Sequence, residues 1–158
     1  MEQVQSADSG LDFRRNMCQY ATFFVDGMCF GVEVPKVQEV LRYQQMTRVP
    51  LAPGEIEGLI NLRGQIVTAI DMRRRLLLAP RAPSVQPMNM VIRSEDGAVS
   101  LLVDEIGDVI EVSESSYEPP PVNMPAGQRG LVNGVYKLDG RLLLALDTDR
   151  VLRIQPES

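Results

Sequence analysis

The sequence predicts an all-β protein of short strands, and three observations carry that expectation. Four turn pairs, Asp26-Gly27, Arg63-Gly64, Asp96-Gly97 and Asp139-Gly140, each separate two apolar runs. Asp-Gly favours a two-residue type I′ hairpin, because both central residues need positive φ. The flanking runs, with Val40–Val49 and Ile106–Val112, add up to about ten strands. Helical stretches are few and short, which fits barrels or a sandwich better than alternating βαβ units.

Taken in order, residues 1–16 are polar, lack the apolar core of a signal peptide, and read as a tail. Gln19–Val34 then forms the clearest hairpin, with Val25 facing Met28, Phe24 facing Cys29 and Phe23 facing Phe30. One face carries Ala21, Phe23, Val25, Met28, Phe30, Val32 and Val34, all apolar; Tyr20, Thr22, Phe24, Cys29, Gly31 and Glu33 make a mixed face. Pro35 suits a first helical position, so Lys36–Leu41 is expected to form one or two helical turns. Asp71 caps a short helix over Met72–Leu77 that holds Arg73, Arg74 and Arg75 on a solvated face, and Asp147 caps Thr148–Leu152. Ala79–Pro87 contains three prolines and reads as an exposed connector; Glu118–Pro121 is a rigid loop and Asn123–Gly130 a mobile one. Residues 154–158 read as a C-terminal tail, leaving 17–153 as the folded domain. Alternation along the strands predicts burial of Phe23, Phe30, Val32, Leu59, Ile66, Ile70, Leu101, Val103, Leu142 and Leu144.

Composition excludes several functions. At 158 residues the chain can bury roughly two thirds of its unfolded surface without staples. A net charge of −5 and a pI of about 4.8 argue against nucleic acid as a partner. There is no histidine, which removes Ser-His-Asp and Cys-His catalysis, histidine metal sites and phosphotransfer to histidine. Cys18 and Cys29 are too few for a disulfide framework or a four-thiolate metal site and read as packing residues. No apolar run is long enough to span a membrane, so no membrane insertion and a cytoplasmic location are expected. The first 80 residues hold nine basic and nine acidic residues, the remainder seven and twelve. Such unevenness suits a solvated surface or complementary protein surfaces.

No phosphate-binding loop, dinucleotide fingerprint or nucleophile elbow is present. Asp104–Asp108 lacks the glycine and terminal glutamate of a calcium loop. Neither catalytic residues nor a cofactor or metal is therefore assigned. A non-enzymatic protein is the expectation.

Gly58-Leu59-Ile60-Asn61-Leu62-Arg63-Gly64, followed by Ile70-Asp71-Met72-Arg73, closely resembles the central signature of the CheW family of chemotaxis coupling proteins. Lys36-Val37-Gln38-Glu39-Val40 and Pro50-Leu51-Ala52-Pro53 resemble the flanking elements upstream. Leu102-Val103-Asp104, Asp108-Val109 and the stretch from Gly134 to Leu152 resemble those downstream. The likeness runs in order from Gln19 to Leu152. It departs at Thr68, where the family usually has proline, and at Met72, where leucine is common.

That resemblance implies two small SH3-like five-stranded β-barrels, interlinked and packed on a shared hydrophobic core. It implies a non-catalytic adaptor that couples the cytoplasmic tips of chemoreceptors to the regulatory domain of the histidine kinase CheA, associated with membrane arrays only through protein partners. It places receptor binding at Val37, Glu39, Gly58, Arg63 and Val109, with Glu39 and Arg63 as an ion pair. The signature residues are Asn61, Leu62, Arg63, Gly64 and Asp71. The matched motifs do not contain the kinase interface, so no residue is assigned to it. A ligand-responsive regulatory barrel is the alternative, and an adaptor in a pilus or second-messenger array would use the same chemistry.

Overall fold

A computed structural model describes residues 16–154. The two tails read from the sequence lie outside these residues except for Asn16 and Ile154. The first hairpin takes the predicted register: β1 (Met17–Val25) pairs antiparallel with β2 (Met28–Glu33), setting Phe23 against Phe30. Asp26 and Gly27 have φ of 52° and 77°, the type I′ geometry. Arg63-Gly64 repeats it, with φ of 51° and 87°, between β4 (Ile56–Leu62) and β5 (Gln65–Asp71).

The other two turns differ. β6 (Met88–Ser94) and β7 (Gly97–Val103) pair Ser94 with Gly97, so the loop is Glu95-Asp96 and only its following glycine has positive φ. Between β10 (Val132–Leu138) and β11 (Arg141–Leu146), Gly140 alone takes positive φ. A glycine after the first loop and at the second position of the other supplies the positive φ, and the aspartate needs no strain.

β3 (Val37–Leu41) replaces the expected helix. Pro35 does start helical geometry, but only as a 3-10 turn over Val34–Lys36. Pairing with β6 then takes the backbone groups of Val37 to Leu41, which suits its β-branched valines. The predicted strand Val40–Val49 accordingly ends at Leu41 and continues irregularly, with one bridge from Thr47 to Leu59. α1 (Met72–Arg75) is capped by Asp71, whose carboxylate accepts from the Arg73 N–H, as expected, but it is shorter than predicted. α3 (Thr148–Leu152) has the predicted bounds and the Asp147 cap, which accepts from Arg150. The segment read as a mobile loop contains α2 (Ala126–Arg129).

β8 (Glu105–Ser113) and β9 (Tyr117–Glu118) complete two sheets. One has the order β8-β1-β2-β11-β10-β9 and the other β3-β6-β7-β5-β4. The five-stranded sheet is thus inserted between the N-terminal hairpin and the C-terminal strands of the six-stranded one. Within the sheets, β2 pairs with β11 and β5 with β7 in parallel, the other pairings being antiparallel. The count exceeds ten because of the two-residue β9.

Three cores follow from this arrangement. Phe23, Phe30 and Leu144 from the first sheet meet Met90, Ile92 and Leu101 from the second in the shared core. Tyr20, Cys29, Val112, Tyr136 and Leu143 fill the six-stranded unit, and Ile60, Leu62, Val67, Val91 and Leu102 fill the five-stranded one. The mixed face of the first hairpin is therefore an interior face, with Tyr20, Thr22 and Cys29 all buried. Thr22 satisfies its hydroxyl by donating to the Asp108 carbonyl. In the five-stranded unit the fully buried Ser100 donates to Asn89, which donates in turn to the Arg42 carbonyl.

Seven of the ten predicted core residues are buried; Leu59, Ile66 and Leu142 are not. Leu59 is half-buried, Ile66 is 60% exposed and Leu142 37% exposed. Ile66 shares the face of Ile70, and Leu142 that of Leu144, both core residues. Each sits by a hairpin turn, beyond the reach of the opposing sheet. Period 2 sets which way a side chain points, and not how far the facing layer extends.

Candidate interaction site

β3 and β4 are the two edges of the five-stranded sheet, and curling brings them together. Their closure positions most of the residues singled out from the sequence. Thr47, just beyond β3, exchanges two backbone hydrogen bonds with Leu59 on β4, at 2.9 and 2.8 Å. Further along the same seam, the Arg63 guanidinium donates to the Glu39 carboxylate. This hydrogen bond holds the Glu39 carboxyl below the usual glutamate range. Arg63 remains 70% exposed at its side chain, so the pair sits at the open mouth of the barrel.

Arg63 is placed there by its own signature. The Asn61 side-chain oxygen accepts from the Gly64 N–H at 2.9 Å, clamping the turn. Leu62 is buried in the barrel interior and anchors the strand end. Asp71 ends the next strand, β5, and caps α1. The signature motif thus builds one exposed guanidinium on a rigid turn. Thr68, the departure from the family pattern, lies mid-sheet between Leu59 and Val99, and Met72 is fully buried in the shared core.

Gly58 is a site of close approach, but to the chain itself. A Cβ there would stand 2.7 Å from the Thr47 carbonyl oxygen and 3.2 Å from the Met46 Cβ. Gly58 thus lets the closing segment pack tightly on β4. Gly58→Ala is expected to cost about 1–3 kcal/mol, the usual range for overpacking. Urea unfolding checks this; an unchanged midpoint would mean that the closing segment moves aside freely.

Val37 and Val109 belong to different sheets. Val37 pairs with Ile92, a shared-core residue, and is itself partly buried against that core. Val109 pairs with Ala21 on the core-facing side of β1, yet is 58% exposed. A bulge between Ala21 and Phe23 sets its position. Both valines therefore border the space between the sheets from opposite sides. The structure brings Glu39 and Arg63 into contact, ties Gly58 to the same seam, and leaves Val109 on the other sheet.

A second cluster was not legible as a unit. The chain crosses from the five-stranded sheet to the six-stranded one at Asp104, between β7 and β8. Its carboxylate accepts two bonds from Arg73, at 3.0 and 2.7 Å, one from Arg81 at 3.0 Å and one from the Asp26 N–H at 2.7 Å. Burial alone would raise the Asp104 pKa, but these donors, Arg73 foremost, bring it below the ordinary aspartate value. Arg81 reaches from the proline-rich connector, with one buried Nη2 3.7 Å from the Asp71 carboxylate. Arg73 is only 16% exposed, which corrects the solvated-face reading for that residue, whereas Arg74 is exposed. The available signal was Arg73 two residues after a helix cap, paired with an aspartate ending an apolar strand.

Among the described residues, no three acids or thiols gather as a metal site, and no helix is long and apolar enough to cross a membrane. Two interlinked barrels with an exposed ion pair on a signature turn define an interaction module. Residues 19–155 match the CheW-like domain model, so the chain belongs to the CheW-like family. It is 34% identical over 130 residues to the chemotaxis protein CheW of Bacillus subtilis, covering 82% of this chain and 83% of that protein. It is 30% identical over 129 residues to chemotaxis protein CheW of Rhizobium meliloti, covering 82% and 83%. The fold is similar to the crystal structure of the scaffolding protein TtCheW from Thermoanaerobacter tengcongensis, with a TM-score of 0.79, 26% identity, and coverage of 89% of this chain and 95% of that one.

Proposed function

We propose that this chain is a non-catalytic scaffold that couples the cytoplasmic tips of chemoreceptors to the histidine kinase CheA. The observation that supports this most is the extent of the family match, which takes in both barrels and the seam between β3 and β4. The named relatives are chemotaxis proteins, and the solved neighbour is a scaffolding protein.

Receptor binding is assigned to Val37, Glu39, Arg63 and Val109, with Gly58 holding the closing segment behind them. Arg63 and Glu39 offer a fixed polar pair at the barrel mouth, and the two valines border the space between the sheets. An amphipathic receptor helix would lay its apolar face between these walls and its polar residues on the ion pair.

Charge reversal separates structure from binding. Glu39→Arg and Arg63→Glu, made singly, should weaken binding of a receptor-tip fragment by roughly tenfold while leaving the unfolding midpoint nearly unchanged, as for an exposed pair. The double swap should restore the fold-closing pair. Recovery of binding with it would show that the partner reads the geometry of the pair; continued loss would show direct contact with one charge. Single variants that fold and bind as the wild type does would refute the assignment.

A further inference from the structure

An irregularity in β3 decides which way the candidate binding residues face. In a regular strand, residues two apart share a face. Val37 and Glu39 do not. Val37 pairs with Ile92 of the shared core, whereas Glu39 pairs with Val91, the neighbouring β6 residue, which fills the five-stranded core. The register shift between them marks a β-bulge, with Gln38 as the extra residue. The bulge leaves Val37 on the side of the shared core and turns Glu39 toward the barrel mouth, where Arg63 meets it. It also brings the Gln38 amide nitrogen to 3.5 Å from the Glu39 carboxylate, although adjacent side chains of a regular strand point apart.

The bulge is held from outside its own strand. β3 begins at Val37, opposite Ile92, so Arg93 is the first residue of β6 with no partner on β3. Its Nη1 donates to the Pro35 carbonyl at 2.9 Å and to the Val37 carbonyl at 2.6 Å. One nitrogen thus ties the 3-10 turn over Val34–Lys36 to the residue that enters the bulge. An extra residue interrupts the ladder, so backbone groups beside it need partners from elsewhere. Arg93 is exposed. Hydrogen bonds so open to water fix a backbone path while adding little to stability.

We infer that Arg93 is a positioning residue of the receptor-docking face: it holds the bulge at Gln38, and the bulge sets Val37 and Glu39 on the opposite sides from which they meet a partner. This role rests on the receptor assignment above, of which Arg93 itself is not a part. Without the bulge, Glu39 would fall on the side of Val37 and away from Arg63. Arg93 acts through the backbone of β3, to which its Nη1 is committed. Because both bonds leave one nitrogen, a lysine ammonium, with three donors and a similar reach, can make them. Methionine, of similar length, has no donor.

The test combines three measurements on the full chain: affinity for a labelled receptor-tip fragment by fluorescence anisotropy, melting temperature, and amide hydrogen exchange of β3 without the fragment. Arg93→Met should speed exchange along β3 and weaken fragment binding by roughly fivefold, with the melting temperature nearly unchanged. Arg93→Lys should keep exchange and binding at wild-type values. The loss caused by Arg93→Met should shrink in a Glu39→Ala background, since Arg93 acts through β3. It should keep its full size in a Val109→Ala background, since Val109 lies on the other sheet. Losses of equal size in both backgrounds overturn the proposal, because Arg93 would then act on the partner by its own contact. So does exchange along β3 that Arg93→Met leaves as in the wild type. A wild-type chain that binds no fragment refutes the receptor assignment instead, and exchange along β3 still decides whether Arg93 holds the bulge.

Discussion

Phe30→Ala is expected to lower the stability of the fold by about 3–5 kcal/mol, the range for truncating a buried phenylalanine. Phe30 is fully buried, stacks on Phe23 and sits where β2 joins β11 in parallel. Its loss would open a cavity in the core that both sheets share, so the two barrels should be destabilised together. Urea unfolding followed by tyrosine fluorescence and by far-ultraviolet dichroism should show one transition, shifted to lower denaturant by both probes. A midpoint equal to that of the wild type would mean that the hairpin faces are inverted.

Asp104→Ala should cost about 3 kcal/mol, toward the lower end of the range for breaking a buried ionic network because the site retains some solvent. Asp104, Arg73 and Arg81 have side-chain exposures of 17%, 16% and 10%, so removing the carboxylate strands two guanidinium groups and the Asp26 N–H. The folded-state pKa of Asp104 lies below its ordinary value. Its contribution is therefore complete above the unfolded pKa of about 3.9 and is lost as pH falls through the lower folded value. Wild-type stability should drop across that acid interval, and Asp104→Asn should drop less, having no proton to take up. Equal acid losses in both proteins would place the titrating group elsewhere.

Much of this molecule is legible residue by residue. The register of the first hairpin follows from Asp26-Gly27, and the caps at Asp71 and Asp147 from their place before short helices. The Glu39–Arg63 pair was implied by likeness to the family rather than by any pattern in the chain, since two residues 24 apart show no local signal. Reading Glu39 into a helix failed because Pro35 starts a turn that a paired strand then overrides. The mixed face of the hairpin hides a second interior, and period 2 does not distinguish a solvated face from one folded inward over Tyr20 and Cys29. Ile66 and Leu142 point the predicted way but lie by hairpin turns where the facing sheet has run out, and Leu59 is only half-buried on the edge strand β4. The Asp104 network depends on three segments distant in sequence, each of which alone reads as surface charge. Gly58 shows the same limit: a glycine in a strand signals close approach, and only the structure identifies Thr47 as the neighbour.

The coupling role is open to a single assay, co-sedimentation of the chain with CheA and membrane-bound receptor-tip fragments. CheA should pellet with the receptor membranes only when this chain is present, and Arg63→Glu should reduce the recovery of both the chain and the kinase. A chain that pellets with receptors but never brings CheA down at high micromolar concentration, or that binds neither partner, would contradict it.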